Sequence, residues 1–435
     1  MKLLVVSPDY QSHALPLIQI AAAWAELGGE AVVATGTATR PLVVDAGLAW
    51  QELRLGRGSN GGVIEVAGQP AGEDRHLQAF FDATRAGPVA TLEYQADARG
   101  QDLLHEPDRV LDRLEVILAE VQPDRVLVDH VAFGARLALH ALGVEPATAV
   151  LGHPSALVGP GEVYGLPSAW PTGLRPSDSE LAHLSERCRL SMRELEAAAN
   201  ELMARRAPRR SAAGDLSSEP GHPTIYVYPE ELHDPSRPLA PDHLFVGSLA
   251  RTEALGDFDL PMGRGPRVTV ALGSFLSARE DVLAVAIAAA HLGGWRLTLA
   301  HGSTSPDELP DPPDGARIAR TIPQVALLQH SEVMIHHGGN GSITESAAAG
   351  VPTVVLPFST DQFAGAAAVE RSRIGVALAP NELTAERLVA AVEHALSDDC
   401  RNSSRRVATS IARAGGAGSA ARAIEQRGRA VRPPR

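Results

Sequence analysis

The chain has 435 residues, 44% of them apolar and only 4% aromatic. That is enough for two ordinary domains with cores built mainly of Ala, Val and Leu. Its formal net charge of −13 argues against a nucleic-acid partner, because phosphate backbones need clustered cations.

In chain order, "KLLVV" (2–6) is a short apolar run that reads as a buried strand. The opening "MKLLVVSPDYQSHALP" lacks the long apolar run of a signal peptide, and Pro8 interrupts it early. No stretch reaches the roughly 18 apolar residues of a membrane span, so the expected location is the cytoplasm. A helix over 14–27 and a strand "EAVVAT" (30–35) follow. The Gly-rich, aperiodic segment 56–76 is too long for an ordinary connection and reads as a functional loop or as disorder. "DRVLV" (124–128), a helix over 131–142 and "ATAVL" (147–151) continue the alternation, which favours a parallel sheet covered on both faces. A long helix over 177–205 starts at "SDSE", where Ser177 and Glu180 form a capping box. Its Leu181, Leu184, Cys188, Met192 and Leu195 fall close to one packing face.

Residues 206–223 and 249–266 are rich in Pro, Gly and charge, and the second is the better linker. A second α/β series then begins: "RVTVAL" (267–272), a helix near 279–292, "WRLTLA" (295–300), "EVMIH" (332–336), a helix from about 341, "TVVLP" (353–357), and helices to the end. The Arg-rich tail 401–435 reads as amphipathic helix plus a solvated end.

The composition removes several chemistries. Lys2 is the sole lysine, which leaves no internal Schiff base and no Gly-Lys-Ser/Thr phosphate loop. Cys188 and Cys400 are far apart and give neither a disulfide framework nor a Cys-based metal site. No Gly-x-Gly-x-x-Gly follows the first strand, which weakens a dehydrogenase reading.

"HHGGNGSITESAAAGVP" (336–352) is the densest motif. A strand ends at His336, three glycines remove side chains at the turn, and a helix follows. Such a unit exposes backbone N–H groups and a positive helix end, both suited to phosphate. Adjacent strand side chains point to opposite faces, so His336 and His337 do not converge on one metal ion. Glu345 lies one helical turn beyond Ser342. Asp361 and Gln362 follow the next strand, where ligands bind in open α/β sheets; a helix N-cap is the alternative role for Asp361.

The order "IPQVALLQH" (322–330), "HGGNGSITE" (337–345), "AGVP" (349–352) and "LPFSTDQ" (356–362) resembles the nucleotide-sugar signature of the family 1 glycosyltransferases. The resemblance implies the α/β GT-B fold, two Rossmann-like domains with parallel sheets facing across a cleft. It implies an acceptor-binding domain over 1–248, a linker over 249–266, a nucleotide-sugar domain over 267–410, and a helix and tail over 411–435 that could pack back on the first domain. By position, the Ile322 backbone and Gln324 would contact the base, and Glu345 the ribose hydroxyls. His337, Gly339, Asn340, Gly341 and Ser342 would hold the diphosphate, with Gly273 and Ser274 resembling the family's Gly-Ser turn. Asp361 and Gln362 would bind the donor sugar. Thr321 stands where plant members carry a stacking Trp, which leaves a UDP- or a TDP-sugar open.

"SPDYQSHALP" (7–16) resembles the family's Gly-His-x-x-Pro segment, with Ser12 in place of the glycine. His13 then matches the catalytic histidine. An acceptor hydroxyl needs a general base, and histidine suits neutral pH. Asp129 is the expected orienting carboxylate, with His130 and Asp124 as nearby competitors and an N-cap as the alternative role. "DFD" (257–259) fits an Asp-x-Asp metal pattern but reads as solvated surface, and the resembled family needs neither metal nor a bound cofactor. The expectation is an inverting transferase, monomeric or homodimeric, acting on a small apolar aglycone. The alternatives are a nucleotide-sugar epimerase and a non-catalytic activator of the same fold.

Overall fold

In β1 (Lys2–Val6) an uninterrupted apolar run serves two cores at once, because successive strand side chains point to opposite faces. Leu4 and Val6 enter one cluster, beside Phe133, Leu137, Leu195 and Leu202. Leu3 and Val5 enter the other, beside Leu17, Ile20 and Trp24. The computed structural model describes residues 1–63, 73–217, 221–240, 243–249 and 253–427. Parts of the expected loop 56–76, of the linker 249–266 and of the tail therefore lie outside the described residues, as do the side chains of Ser274 and Phe275.

The first sheet continues with β2 (Glu30–Thr35), β3 (Ala49–Glu52), β4 (Arg125–Asp129), β5 (Ala147–Val150), β6 (Thr224–Tyr226) and β7 (His243–Phe245). Its order is β3-β2-β1-β4-β5-β6-β7, and every pairing is parallel. The second sheet holds β8 (Arg267–Ala271), β9 (Arg296–Ala300), β10 (Arg317–Ala319), β11 (Val333–His336), β12 (Thr353–Val355) and β13 (Gly375–Ala377). Its order is β10-β9-β8-β11-β12-β13, again parallel throughout. Strand order reverses between β1 and β4 in one sheet and between β8 and β11 in the other. Those reversals open a crevice at the carboxyl ends of the strands. This is the α/β architecture expected from the sequence.

Local chemistry sets the helices. Ser177 Oγ accepts the Glu180 N–H while the Ser177 N–H donates to Glu180 Oε2 (2.8 Å), closing the capping box of the helix Asp178–Arg206. Leu184, Cys188, Met192 and Leu195 are buried on one face, as their spacing predicts. The helix Glu73–Ala86 begins within the segment read as a loop, and the helices Pro88–Leu103 and Pro107–Val121 follow it.

The two halves are packed together. Val150, Tyr226 and Tyr228 of the first share a core cluster with Ile343, Val355 and Ala366 of the second. The last helix, Gly416–Arg427, returns to the first half, where Ala420, Ala421 and Ile424 pack with Ile20 and Trp24.

Candidate active site

A cavity of about 1290 Å3 lies between the carboxyl ends of the two sheets. On its first wall, the helix Gln11–Glu26 starts four residues after β1 ends, and His13 sits in its opening turn. His13 Nδ1 lies 2.7 Å from Asp129 Oδ2. Asp129 ends β4, beside β1, and is fully buried. Its other oxygen accepts the Val131 N–H (3.0 Å) and lies 3.2 Å from His130 Nδ1. So Asp129 both holds His13 and stabilises the turn into the next helix.

Burial alone would lower the His13 pKa, but the charge of Asp129 and its hydrogen bond outweigh it, and Asp361 adds to them. The net direction is upward. For Asp129, burial works upward and is overridden by His13 and His130, which hold the carboxyl well below the usual carboxylate range. Asp129 is thus ionised at neutral pH. With Nδ1 committed to it, His13 has Nε2 to offer to the cavity.

The second wall is built on β8 and β11. Gly273 follows β8 with φ +74, and a β-carbon there or at Gly339 would overlap the His337 ring. The two glycines therefore make the slot in which that ring lies. Burial lowers the His337 pKa to about 4, so it is neutral, and among the described residues its Nδ1 has no hydrogen-bond partner. His336 turns away from the cavity into the sheet, where its Nδ1 accepts the Gly338 N–H (3.0 Å). Burial and the neighbouring His337 lower its pKa to about 3. The two adjacent histidines point apart, as strand geometry requires.

The helix Asn340–Ala349 begins at the cavity with Gly339 as its N-cap residue. Gly341 has open space where a side chain would stand. Ser342 and Glu345 line the cavity on one face of this helix. Gln324 Nε2 donates to Glu345 Oε2 (2.6 Å) and approaches Ser342 Oγ at 3.5 Å. Ile322 lies beside them, and Glu253 Oε2 accepts the Val325 N–H to cap the short helix Gln324–Leu328.

Three of the proposed donor-side groups also make hydrogen bonds within the protein. The Asn340 amide donates to the carbonyls of Leu151 (2.6 Å) and Val227 (3.0 Å), so its side chain ties the two halves together. Asp361 occupies the N-cap position of the helix Gln362–Arg371 without capping it. Its Oδ2 instead accepts the His153 N–H (2.8 Å) from the opposite half. Gln362 Oε1 accepts the N–H groups of Phe358 and Ser359, which fixes the loop after β12. Thr360 in that loop has φ +43, an uncommon conformation for a non-glycine residue. His153, just beyond β5, was not singled out from the sequence; its place after a strand end is the signal it carried.

Every site residue proposed from the sequence lines this one cavity except Asp129, which stands behind His13, and Ser274, whose side chain lies outside the description. Asp259 of "DFD" is exposed and lies 3.8 Å from Arg317. Among the described residues no cluster of His, Cys, Asp and Glu is placed to hold a metal, and no helix is long and apolar enough to cross a membrane.

The chain is similar to several known proteins. Residues 297–416 match the family described as erythromycin biosynthesis protein CIII-like, C-terminal domain. The chain is 27% identical over 329 residues to demethyllactenocin mycarosyltransferase of Streptomyces fradiae, covering 74% of this chain and 68% of that one. It is 27% identical over 416 residues to 4'-demethylrebeccamycin synthase of Lentzea aerocolonigenes, covering 91% and 92%. The structure of spinosyn rhamnosyltransferase SpnG complexed with thymidine diphosphate superposes with a TM-score of 0.68 at 20% identity, over 98% of this chain and all of that one. The fold is that of the GT-B glycosyltransferases. In its C-terminal half and along most of its length the chain is similar to bacterial natural-product glycosyltransferases of family 1.

Proposed function

We propose that the protein moves a sugar, with inversion, from a TDP- or UDP-sugar to a hydroxyl of a small apolar natural product. The observation that carries this reading is the 2.7 Å contact between His13 Nδ1 and buried Asp129 at the mouth of the acceptor wall. It orients a neutral imidazole with Nε2 available as a general base.

The acceptor O–H proton passes to His13 Nε2 as the oxygen bonds to the anomeric carbon. The bond from that carbon to the diphosphate breaks, and its electron pair leaves with the diphosphate. Asp129 stabilises the imidazolium that forms. The positive end of the helix Asn340–Ala349 meets the departing charge, and neutral His337 serves it as an N–H donor rather than as a cation. Glu345 and Gln324 hold the ribose and base end of the donor. A thymidine diphosphate complex of a structural relative favours TDP among the donors.

The test is transfer to a panel of aglycones with TDP- and UDP-sugars, wild type against His13→Ala. A base contributes about 10²- to 10⁴-fold, so kcat for an oxygen acceptor should fall by that much while TDP still raises the melting temperature. Unchanged transfer would overturn the mechanism. Epimerised donor formed without any acceptor would mark an epimerase, and no turnover with tight TDP binding would mark an activator.

A further inference from the structure

The acceptor wall carries a cation that the proposed mechanism does not use. Arg99 projects from the helix Pro88–Leu103 into the cavity and is only 6% exposed. Among the described residues, its contacts are one hydrogen bond from Nη1 to the Tyr164 carbonyl (3.2 Å) and a stacking contact, with its guanidinium carbon 5.1 Å from the Tyr164 ring centroid. No carboxylate pairs with it there. A guanidinium has five N–H donors, and burying a charge without a partner is costly. Gly165, with φ +89, leaves the space the guanidinium fills; a β-carbon there would overlap Nη2.

One helical turn earlier, on the same face, Gln95 also lines the cavity. Among the described residues its buried Oε1 has no hydrogen-bond partner. Around these two groups the walls are ring-rich. Phe133 and Tyr164 meet edge to face at 5.4 Å, and Phe80 and Tyr94 lie 6.3 Å apart. Aromatics are only 4% of the chain, so four of them lining this cavity is a concentration.

We propose that this end of the cavity binds a carboxylate carried on an apolar, ring-containing acceptor, and that Arg99 is the residue that selects for it. A planar fork matches a carboxylate with two parallel hydrogen bonds. The aromatic walls cover the body of the ligand, and Gln95 accepts a hydrogen bond from a neighbouring donor. This assignment rests on the reading of the cavity's first wall as the acceptor site, and it names the class of acceptor.

The test is calorimetric titration of the full chain with 2-naphthoate and with neutral 2-naphthamide, alongside TDP. Wild type should bind the naphthoate at least about tenfold more tightly, the lower end for a charge-assisted pair. Arg99→Met should abolish that preference while the melting temperature and TDP affinity stay unchanged. Arg99→Lys, which keeps the charge but loses the fork, should retain part of it. Equal binding of the two probes by wild type, or a preference that survives Arg99→Met, would overturn the proposal. Should Arg99→Met not fold, Arg99→Lys decides: an undiminished preference would count against the fork. A failure of TDP to bind would sink the donor reading separately, because the naphthoate arms use no nucleotide.

Discussion

Asp129 and His336 end equivalent strands. Each is the last residue of the strand that crosses over beside the first strand of its sheet, β4 beside β1 and β11 beside β8. Both are fully buried. In the first sheet that position holds an anion, and it draws a partly exposed histidine from the helix that follows β1 into a 2.7 Å contact. In the second it holds a neutral histidine that satisfies one backbone N–H, and the adjacent His337 is kept uncharged by its own burial. One topological position therefore gives two electrostatic outcomes. A carboxylate there raises the pKa of the histidine it holds; an imidazole there adds no charge beside the glycine slot of His337.

The hardest blow to this contrast is Asp129→Asn. It keeps the shape but removes the charge that raises the His13 pKa. His13 must be neutral to accept a proton, so wild-type kcat/KM should fall as pH drops through a value above 6.5. In the variant that limb should move to lower pH, because burial now dominates. The plateau should also fall by up to about 10⁴-fold, the cost of losing the orienting carboxylate. A pH–rate profile checks both, and a limb that stays in place would show that Asp129 does not set the His13 pKa.

The second blow falls on the neutral slot. Gly339→Ala puts a methyl where the His337 ring lies, so the ring must move. The expected outcome is a loss of about 10- to 100-fold in TDP affinity, the range for losing hydrogen bonds to a charged group, with His13 chemistry intact per bound donor. Calorimetry on the variant measures it. Undiminished affinity would mean that His337 is a packing residue only.

How much of this was legible beforehand follows from where the energy resides. β1, β2 and β8 show as apolar runs because buried parallel strands need little else. β3, "AWQE", has no fully buried residue, and β6 and β7 have three residues each, so composition alone did not mark them. The helices over 73–121 went unassigned behind the Gly-rich segment that precedes them. In the site, the glycines next to a strand end are local features that the sequence carried, whereas His13, on the helix after β1, and Asp129, 116 residues away at the end of β4, were paired through the family resemblance. The bonds from Asn340 to Leu151 and Val227, and from His153 to Asp361, cross between halves. They depend on how two finished sheets pack, which no short window of sequence encodes. Arg99 escaped for the same reason: on its helix it looks like any solvated arginine until Tyr164 and Gly165 close over it.

The smallest expected effect separates the two histidine environments by stability rather than activity. His336 has a folded pKa of about 3, below the ordinary 6.5. As pH falls below 6.5 the unfolded chain takes up a proton that the folded chain refuses, so stability declines. At pH 5.5 this amounts to on the order of 1 kcal/mol. His336→Asn retains an acceptor for the Gly338 N–H and should flatten that acid limb by the same amount. His13 is linked in the opposite sense. Its folded pKa is raised, so its contribution is fully present below 6.5 and is lost as pH rises through the folded value. His13→Asn should therefore steepen the acid limb, costing more stability at pH 5.5 than at pH 8. Urea denaturation of both variants at the two pH values reads the pair of slopes, and slopes of the same sign would refute the electrostatic division between the two sheets.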